Sequence, residues 1–530
     1  MTIVSAEPRV CSVREAFRSR GVWGLLFALL ATKLISLLGF GHWADADECV
    51  VGIMAKHIVD QGVHPLYFYG QTYGGGASIE AHTIALLYRL FGMSGYTLKL
   101  GALVYTLTGA VLVYALAVRL ADRKTGLLSL AVYTTLPALI EWGLKVRGGY
   151  VPMLVLVPAI LWAADRMFRR SGLDHVSAAA FLVLTGVGSW NMQSILPLVV
   201  LVVLGVGAFL IWHRRFAVLA GYGGYAGVGT IAAIGWRFRS GSGMTEQFVD
   251  FDPGTLIDRV FERLGTILTE TLPDFFQPFL NDVVAGPTWP APITLGLFVA
   301  ALGVVIVQVR RNHIAAPARP MVTLLLIYVP FYLVCFALAS PRLVLSPRYL
   351  FPLVPAVAVL GGIALAAVPR WIMVSAVTYL AGVFAFFNAD LIRHPRLYEH
   401  RTFYDPADIR KLAQTLERLD IRFVRTTYII EWRLLFETRE RVIAVNLKKP
   451  VRYPPYIERL EEAVARKGTK LAYVFRKDGL WSKLFLDMSP QEFAQRHLDG
   501  RGLSYETVDA DPYVLYVVRR GPAASTPPTK

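Results

Sequence analysis

Long apolar runs recur along about the first 390 residues of the chain, separated by polar segments. Each run has roughly 15 to 22 residues, and a helix of about 20 residues spans a bilayer core of about 30 Å. Eleven runs lie at Val22–Phe40, Thr97–Val118, Gly126–Trp142, Tyr150–Ala164, Val176–Trp190, Ile195–Trp212, Phe216–Trp236, Pro292–Val309, Met321–Ala339, Tyr349–Val368 and Trp371–Asn388. No small-residue cleavage signature follows the first run, so it is expected to remain as a span. The pattern predicts an α-helical polytopic membrane protein with about eleven transmembrane helices.

A twelfth apolar segment, Ile79–Phe91, decides the topology, because every later loop changes sides if it spans. It has 13 residues and carries Glu80, His82 and Arg89. If it does not span, the inner segments hold 16 Lys and Arg residues and the much longer outer loops between spans hold 10. Short loops keep Lys and Arg on the cytoplasmic side, which favours an interfacial or re-entrant helix here. The predicted segments are a cytoplasmic N-terminus at 1–21, a transmembrane domain at 22–388, and outer loops at 41–96 and 237–291.

The sequence changes character after Asn388. A capped amphipathic helix is predicted from Ala407 to Leu419, since Asp405-Pro406 precede apolar residues at helical spacing. Strands are predicted at Phe423–Ile430, Val442–Val445, Leu471–Phe475 and Tyr513–Val518, and helices at Tyr456–Arg466 and Pro490–Leu498. We therefore expect a small extracytoplasmic α/β domain at 389–522 and a disordered tail at 523–530.

Composition narrows the class of protein. Hydrophobic residues make up 55% of the chain and charged residues 17%, with a mean hydropathy of +0.48. These values exclude a soluble enzyme, a disordered scaffold and a secreted disulfide module. A net charge of +16 would suggest nucleic-acid binding in a soluble protein. Here the basic residues follow the predicted topology, so membrane lipids are the expected partners and nucleic acid is not.

Three carboxylates follow the first span, in Asp45-Ala46-Asp47-Glu48. They have two interpretations. Acidic residues cap helices and favour the helix dipole, so they could simply start a helix at Cys49–Val59. Alternatively, Asp45, Asp47 and Glu48 could supply a general base, with or without a divalent metal, because a carboxylate can accept a proton from a hydroxyl nucleophile or hold a cation.

The same loop continues with aromatic, amide and glycine residues between Pro65 and Gly76. Tyr69, Gln71 and Tyr73 offer ring faces and hydrogen-bonding groups, and the glycines allow close backbone approach. This mixture is typical of sugar binding. For the tyrosines alone, an interfacial aromatic belt is an equally good explanation.

Basic residues on the predicted outer side form another candidate site. Lys145 and Arg147 lie between the third and fourth runs, and Arg342 and Arg348, the latter followed by Tyr349, precede the tenth. Guanidinium and ammonium groups there could bind a phosphate. Snorkelling to phospholipid headgroups is the alternative.

Taken together, these motifs resemble those of the C-type glycosyltransferases, in particular the polyprenyl-phosphate-sugar enzymes related to protein O-mannosyltransferases and the lipid A aminoarabinose transferase. The resemblance covers about the first 390 residues, and the motifs are short. They are Asp47-Glu48, Tyr69-Gly70-Gln71-x-Tyr73-Gly74-Gly75 with Glu80, Leu90-Phe91-Gly92, and Arg348-Tyr349-Leu350-Phe351-Pro352.

The resemblance implies transfer of a sugar from a polyprenyl-phosphate donor to an envelope glycan, lipid or protein, on the outer face of a bacterial cytoplasmic membrane. The family's catalytic aspartate maps to Asp47, and Asp45 is an additional acid. Glu80 and the loop aromatics would contact sugar or acceptor, and Arg348 the donor phosphate. Proton abstraction by Asp47 and attack opposite the phosphate would invert the anomeric centre.

A transporter or flippase for lipid-linked sugars is the main alternative, because it also needs aromatic residues and phosphate-binding arginines. Transporters usually place charged groups near the bilayer midplane and commonly contain internal repeats. In this chain Lys33 is the main charge inside a span, and the polar groups concentrate in the outer loops. An enzyme is therefore favoured. A non-catalytic assembly protein would leave the acidic cluster without a role.

Overall fold

A computed structural model describes most of the chain. The described residues are 15, 17–40, 43–71, 75–170, 172–225, 256–277, 279–280, 283–284, 288–339, 341–393, 406–448, 451–466, 469–479, 482–483 and 486–519. The chain forms two compact units. The first, the helical unit, comprises Met1–Phe40, Tyr73–Glu80 and Lys99–Arg401, and the second, the α/β unit, comprises Gly41–Thr72, Ala81–Leu98 and Thr402–Lys530.

Helices dominate the chain up to residue 393. They are α1 (Arg20–Phe40), α2 (Ala46–Gln61), α3 (Gly76–Phe91), α4 (Gly95–Leu120), α5 (Arg123–Thr135), α6 (Ala138–Trp142), α7 (Tyr150–Arg169), α8 (His175–Asn191), α9 (Leu196–Trp212), α10 (Leu256–Thr266), α11 (Leu272–Phe275), α12 (Pro290–Arg310), α13 (Arg319–Ala337), α14 (Pro341–Val344), α15 (Val354–Ala367) and α16 (Arg370–Arg393). Shorter helical turns of other types occur at Gln193–Ile195, Ile267–Thr271 and Pro347–Leu353, and two short antiparallel strands, β1 (Phe279–Leu280) and β2 (Val283–Val284), lie between α11 and α12.

Eight helical segments in the described residues are long and apolar enough to cross a membrane, and they coincide with eight of the eleven predicted runs. They are Arg20–Gly39, Gly95–Leu120, Tyr150–Arg169, Gln193–Trp212, Pro290–Arg310, Arg319–Ala337, Pro347–Ala367 and Arg370–Asp390. The predicted interfacial segment Ile79–Phe91 falls within α3, which has 16 residues. The chain is thus a polytopic, mainly helical protein, and the total of eleven spans stays a prediction.

The three other predicted runs differ from these eight. Gly126–Trp142 is divided into α5 and α6, because Leu136, which precedes Pro137, adopts extended backbone angles that end the helix. Val176–Trp190 corresponds to α8, a helix of 17 residues. Phe216–Trp236 is described only as helical backbone at 216–225, and its remainder lies outside the described residues.

The break at Pro137 explains the buried charge in the first span. Lys33 in α1 is 1% exposed. Its ammonium group donates to the carbonyl oxygens of Leu139 and Ile140 in α6. The break leaves α6 as a single short helix whose last carbonyl groups need partners inside a membrane, so Lys33 satisfies a local need of the fold.

Close helix packing in the helical unit depends on small residues. Helix α15 packs on α5, where a Cβ atom added to Gly362 would collide with Ser129. Small residues let helix backbones approach closely in membranes, where dispersion and hydrogen bonds drive association.

A five-stranded sheet forms the centre of the α/β unit. Its elements in the C-terminal part of the chain are α17 (Pro406–Arg418), β3 (Phe423–Thr426), α18 (Tyr428–Glu437), β4 (Ile443–Asn446), α19 (Pro455–Ala465), β5 (Lys470–Arg476), α20 (Pro490–Phe493), β6 (Tyr505–Ala510) and β7 (Tyr513–Arg519). The strand order is β4-β3-β5-β7-β6. β3 runs parallel to β4 and β5, whereas β5, β7 and β6 pair antiparallel.

The structure corrects two details of the predicted secondary structure. The predicted strand Phe423–Ile430 ends at Thr426, and α18 begins at Tyr428. Strand β6 was not predicted, because its sequence carries Glu506 and Asp509 between its apolar positions. The predicted tail at 523–530 and the first 14 residues lie outside the described residues.

Helix α2, from the first loop, packs against α18 within the α/β unit. A Cβ atom added to Gly52 of α2 would lie 2.5 Å from the ring of Phe436 in α18, so the missing side chain allows the close approach. The segments 41–72 and 81–98, predicted as part of the transmembrane domain, share a compact unit with the C-terminal residues.

Candidate functional site

The acidic segment of the first loop forms the start of α2. Asp45 is the N-cap: its Oδ1 accepts a hydrogen bond from the Glu48 backbone N–H (2.9 Å), and Glu48 accepts one from the Asp45 N–H (3.1 Å). This reciprocal arrangement is a capping box. Two of the three candidate carboxylates therefore make the hydrogen bonds expected of a helix cap.

Asp47 has partners of a different kind, and with them it forms what we call the carboxylate cluster: Asp47, Tyr428 and Arg452. The Tyr428 hydroxyl donates to Asp47 Oδ1, and Arg452 Nη2 lies 3.4 Å from the same oxygen. The Asp47 side chain is 24% exposed and that of Arg452 17%. Burial, and then the charge of Asp47, raises the pKa of Tyr428, so this hydroxyl stays protonated and able to donate at neutral pH.

A second charged group lies further along α2, around Glu440. Glu440 accepts hydrogen bonds from Lys56 Nζ (2.6 Å), His57 Nε2 (3.0 Å) and the Tyr456 hydroxyl (2.7 Å). Burial alone would raise the pKa of Glu440, but these hydrogen bonds and the nearby positive charge lower it to about 2. Glu440 is therefore ionised and ties α2 to the C-terminal elements of the α/β unit.

The predicted sugar-binding residues of the first loop occupy different environments. The Tyr69 hydroxyl lies 2.8 Å from His57 Nδ1, and its ring lies 4.6 Å from that of Tyr453. Gln71 is half-buried and ends a turn in which its N–H donates to Phe68 O (2.9 Å). Tyr73 lies outside the described residues.

In the helical unit, Glu80 binds the backbone of the loop at 143–149, here called the basic loop. Its two carboxylate oxygens each lie 2.8 Å from a backbone nitrogen, one of Gly148 and one of Gly149, and the residue is fully buried. Gly149 has φ +118°, and an added Cβ would lie 2.9 Å from Gly76 Cα. Asn191 Nδ2 donates to Gly149 O (2.8 Å). Glycine is therefore required at this close approach.

The basic loop carries Lys145 and Arg147 beside Trp142. Lys145 Nζ lies 5.5 Å and Arg147 Cζ 5.9 Å from the centre of the Trp142 ring, and Lys145 is 3% exposed. These distances allow cation–π attraction. The loop thus holds two positive charges on a fixed backbone.

Arg348 and Tyr349, about 200 residues further on, lie near the same loop within the helical unit. Arg348 and Arg147 both lie close enough to Tyr150 for their charges to act on its hydroxyl. The rings of Tyr150 and Tyr349 are 5.9 Å apart, and Tyr332 donates to the Tyr349 carbonyl. Arg147, over Trp142, and Arg348, over Tyr349, each lie beside an aromatic ring that neighbours Tyr150. Arg342 belongs to α14, and its side chain lies outside the described residues.

Within the described part of the chain, no group of three or more His, Cys, Asp or Glu side chains is arranged to hold a metal ion. The carboxylate cluster offers instead a carboxylate held by two hydrogen-bond donors, which is suited to proton transfer. The basic loop, with Arg348, offers positive charge beside aromatic rings, which is suited to an anion such as phosphate.

Sequence reasoning missed Tyr428, Arg452, His57 and Glu440. Tyr428 was assigned to a strand, and Arg452 is separated from Asp47 by 405 positions, so no local pattern links them. One signal was present in the sequence: Lys56 and His57 interrupt the apolar pattern of α2. Such an interruption indicates that the helix packs against a polar partner.

The chain shares its fold with solved structures of ArnT, which agrees with the resemblance read from the motifs. Two such structures are those of ArnT from Cupriavidus metallidurans. For the crystal structure bound to undecaprenyl phosphate the TM-score is 0.62 at 14% identity, covering 96% of this chain and 100% of that one. For the apo structure the TM-score is 0.59 at 13% identity, covering 93% and 98%. No protein-family model matches the sequence, and no curated protein matches it.

Proposed function

We propose that this protein is a membrane glycosyltransferase that moves a monosaccharide from a polyprenyl-phosphate donor to a hydroxyl group of a cell-envelope glycolipid, polysaccharide or protein. The observation that carries the proposal is the fold, shared over 96% of the chain with an ArnT structure that contains undecaprenyl phosphate. The apolar helices suit a substrate whose prenyl chain lies in lipid.

In this proposal the basic residues of the helical unit bind the donor phosphate. Arg147 and Arg348 each lie over an aromatic ring that neighbours Tyr150, and Lys145 is buried in the same loop as Arg147. When the bond between the anomeric carbon and the phosphate oxygen breaks, the phosphate leaves with the electron pair. Positive charge stabilises that developing negative charge. Arg342 and Tyr349 are proposed as further donor contacts, and Glu80 supports the loop through Gly148 and Gly149.

Asp47 is the proposed general base. The acceptor oxygen attacks the anomeric carbon opposite the phosphate, its proton passes to the Asp47 carboxylate, and the configuration inverts. Asp45 and Glu48 assist indirectly, since their capping box fixes the start of α2. Gln71 and Tyr73 are proposed as contacts for the sugar or the acceptor, as is the ring of Tyr69.

The proposed location is the bacterial cytoplasmic membrane, with the N-terminus inside and the C-terminal domain outside, as the charge distribution predicts. Single cysteines introduced after residue 393 should react with an impermeant thiol reagent added to the outside of intact cells. Reaction only after the membrane is opened would reverse this topology.

The activity is tested with the purified full-length protein and a panel of undecaprenyl-phosphate sugars, by measuring release of free undecaprenyl phosphate. Release with at least one donor, lost in Asp47→Asn, is the expected result. If no donor is consumed and the protein instead moves lipid-linked sugar across vesicle membranes, the enzyme proposal is wrong and the transporter alternative replaces it.

A further inference from the structure

The C-terminal part of the chain supplies two side chains that contact Asp47. Tyr428 is separated from Asp47 by 381 positions and Arg452 by 405, yet both contact Oδ1 of the same carboxylate. Two donors on one oxygen fix the rotation of the carboxylate about its last bond. All three residues belong to the α/β unit.

Arg452 is itself held in place from several sides. Its guanidinium carbon lies 4.6 Å from the ring centres of both Phe68 and Tyr428, so the group is sandwiched between two aromatic faces. Gly70, at φ +71°, lies against its backbone, where an added Cβ would be 2.7 Å from Arg452 Cα. This much support is unusual for an arginine that forms only a surface ion pair, which is worth little.

Tyr428 is fixed equally well by its place in the fold. It is the first residue of α18 and follows β3 after one residue, so the sheet sets its position. Helix α18 packs on α2 through the contact between Gly52 and Phe436. The hydroxyl and the carboxylate therefore belong to two helices in direct contact.

We propose that Tyr428 and Arg452 are positioning residues for Asp47, so that the C-terminal domain is an integral part of the catalytic apparatus. This inference rests on the proposed function, because it takes Asp47 as the base. Tyr428 and Arg452 orient the carboxylate toward the acceptor hydroxyl. Small losses of orientation reduce the rate of such a step strongly.

The test compares Tyr428→Phe and Arg452→Gln with the full-length parent in the undecaprenyl phosphate release assay. We expect kcat to fall about 10- to 100-fold in each, with KM for the donor changed less than about threefold. In an Asp47→Asn background, neither change should lower the residual activity further, because the group they position is already lost.

Matched controls are Tyr473→Phe, which removes a hydroxyl from β5 of the same unit, and Arg459→Gln, which removes an exposed positive charge from α19. Both should keep the parent kcat. Arg452→Lys tests the position with its charge retained, in case Arg452→Gln does not fold. Parent kcat in folded Tyr428→Phe and Arg452→Gln, or equal further losses in the Asp47→Asn background, would overturn the inference. Full activity of Asp47→Asn itself would instead overturn the role proposed for Asp47.

Discussion

Two buried glutamates, one in each unit, are stabilised by different kinds of partner. Glu80 in the helical unit accepts hydrogen bonds from the backbone N–H groups of Gly148 and Gly149. Glu440 in the α/β unit accepts its hydrogen bonds from Lys56, His57 and Tyr456 side chains. Both carboxylates hold a segment that carries candidate functional residues.

The two regions should therefore resist different kinds of perturbation. The basic loop depends on glycine backbone conformation, so it should tolerate changes of pH and be sensitive to added side-chain atoms. The α2 region depends on charged and hydroxyl side chains from distant parts of the chain, so it should be sensitive to protonation and to removal of single polar groups.

The largest effect is expected at Asp47, in the region held by side chains. Asp47→Asn keeps the shape of the side chain and removes its ability to accept a proton, so transfer activity should fall about 10²- to 10⁴-fold while donor binding persists. Release of undecaprenyl phosphate and donor binding are measured on the same preparation.

Asp45→Asn and Glu48→Gln are the matched controls, since their hydrogen bonds are those of the helix cap. A large loss only in Asp45→Asn would move the base two residues upstream. Comparable losses in all three variants would indicate a shared divalent cation, which chelation would then test.

Arg348→Ala should weaken donor use about 10- to 100-fold, because a phosphate-directed, partly desolvated contact contributes roughly 1.5–3 kcal/mol. The donor KM is the measured quantity, and the melting temperature checks that the variant is folded. Arg342→Ala is compared in parallel. Unchanged donor use in both variants would leave snorkelling to lipid headgroups as the role of these residues.

Gly149→Ala tests the basic loop, and Gly148→Ala is its matched control. The substitution combines a positive φ with a Cβ 2.9 Å from Gly76 Cα, whereas Gly148 has φ +83° and no atom within 4 Å of an added Cβ. Gly148→Ala should cost about 1–2 kcal/mol of backbone strain, and Gly149→Ala distinctly more, with a raised donor KM. Equal effects of the two variants in melting and donor assays would show that the close approach to Gly76 does not matter.

The smallest effects are shifts of melting temperature with pH. Folding lowers the pKa of Glu440 from 4.5 to about 2, so its ionised form stabilises the protein above about pH 4.5, and this stabilisation is lost as the pH falls toward 2. Glu440→Gln should therefore melt several degrees below the parent at pH 7, and the difference should shrink as the pH is lowered below 4.5.

Glu431 is a control for which stability should depend on pH in the opposite direction. Burial raises its pKa from 4.5 to about 8, so the folded state increasingly loses stability as the pH rises from 4.5 to 8. Glu431→Gln should thus raise the melting temperature at pH 8 and have little effect at pH 4.5. The same sign for both variants at pH 8 would contradict the contrast between these two carboxyl groups.

The spanning helices could be predicted from the sequence, because the thickness of the bilayer sets the length of each apolar run and such runs are visible in the sequence. The run Gly126–Trp142 is an exception, because it is divided at Pro137 into α5 and the short helix α6. Lys33 of the first span donates hydrogen bonds to two carbonyl groups of α6. Helix α18 was missed because Tyr428, Ile429 and Ile430 favour a strand locally. Its packing on α2 overrides that preference.

The candidate residues could be recognised in the sequence from their chemical types, whereas the residues that contact them could not. Asp47, Arg147 and Arg348 stand out as charges in or beside an apolar sequence. The contacts of Asp47 with Tyr428 and Arg452 depend on tertiary structure, which one sequence does not reveal. Glu80 was expected to contact sugar or acceptor, and the structure places it against the backbone of two glycines about 70 residues away.

The packing of α2 on α18 also sets an order of events during synthesis. Tyr428 is made 381 residues after Asp47. At about 5–20 residues per second, α2 waits roughly 20 to 80 s for this partner. During that time Lys56 and His57 cannot bind Glu440, and Phe436 cannot pack against Gly52. Helix α2 can therefore reach its final packing only after all the spans have been synthesised, and a ribosome that stops before residue 428 leaves a chain with an unfinished first loop.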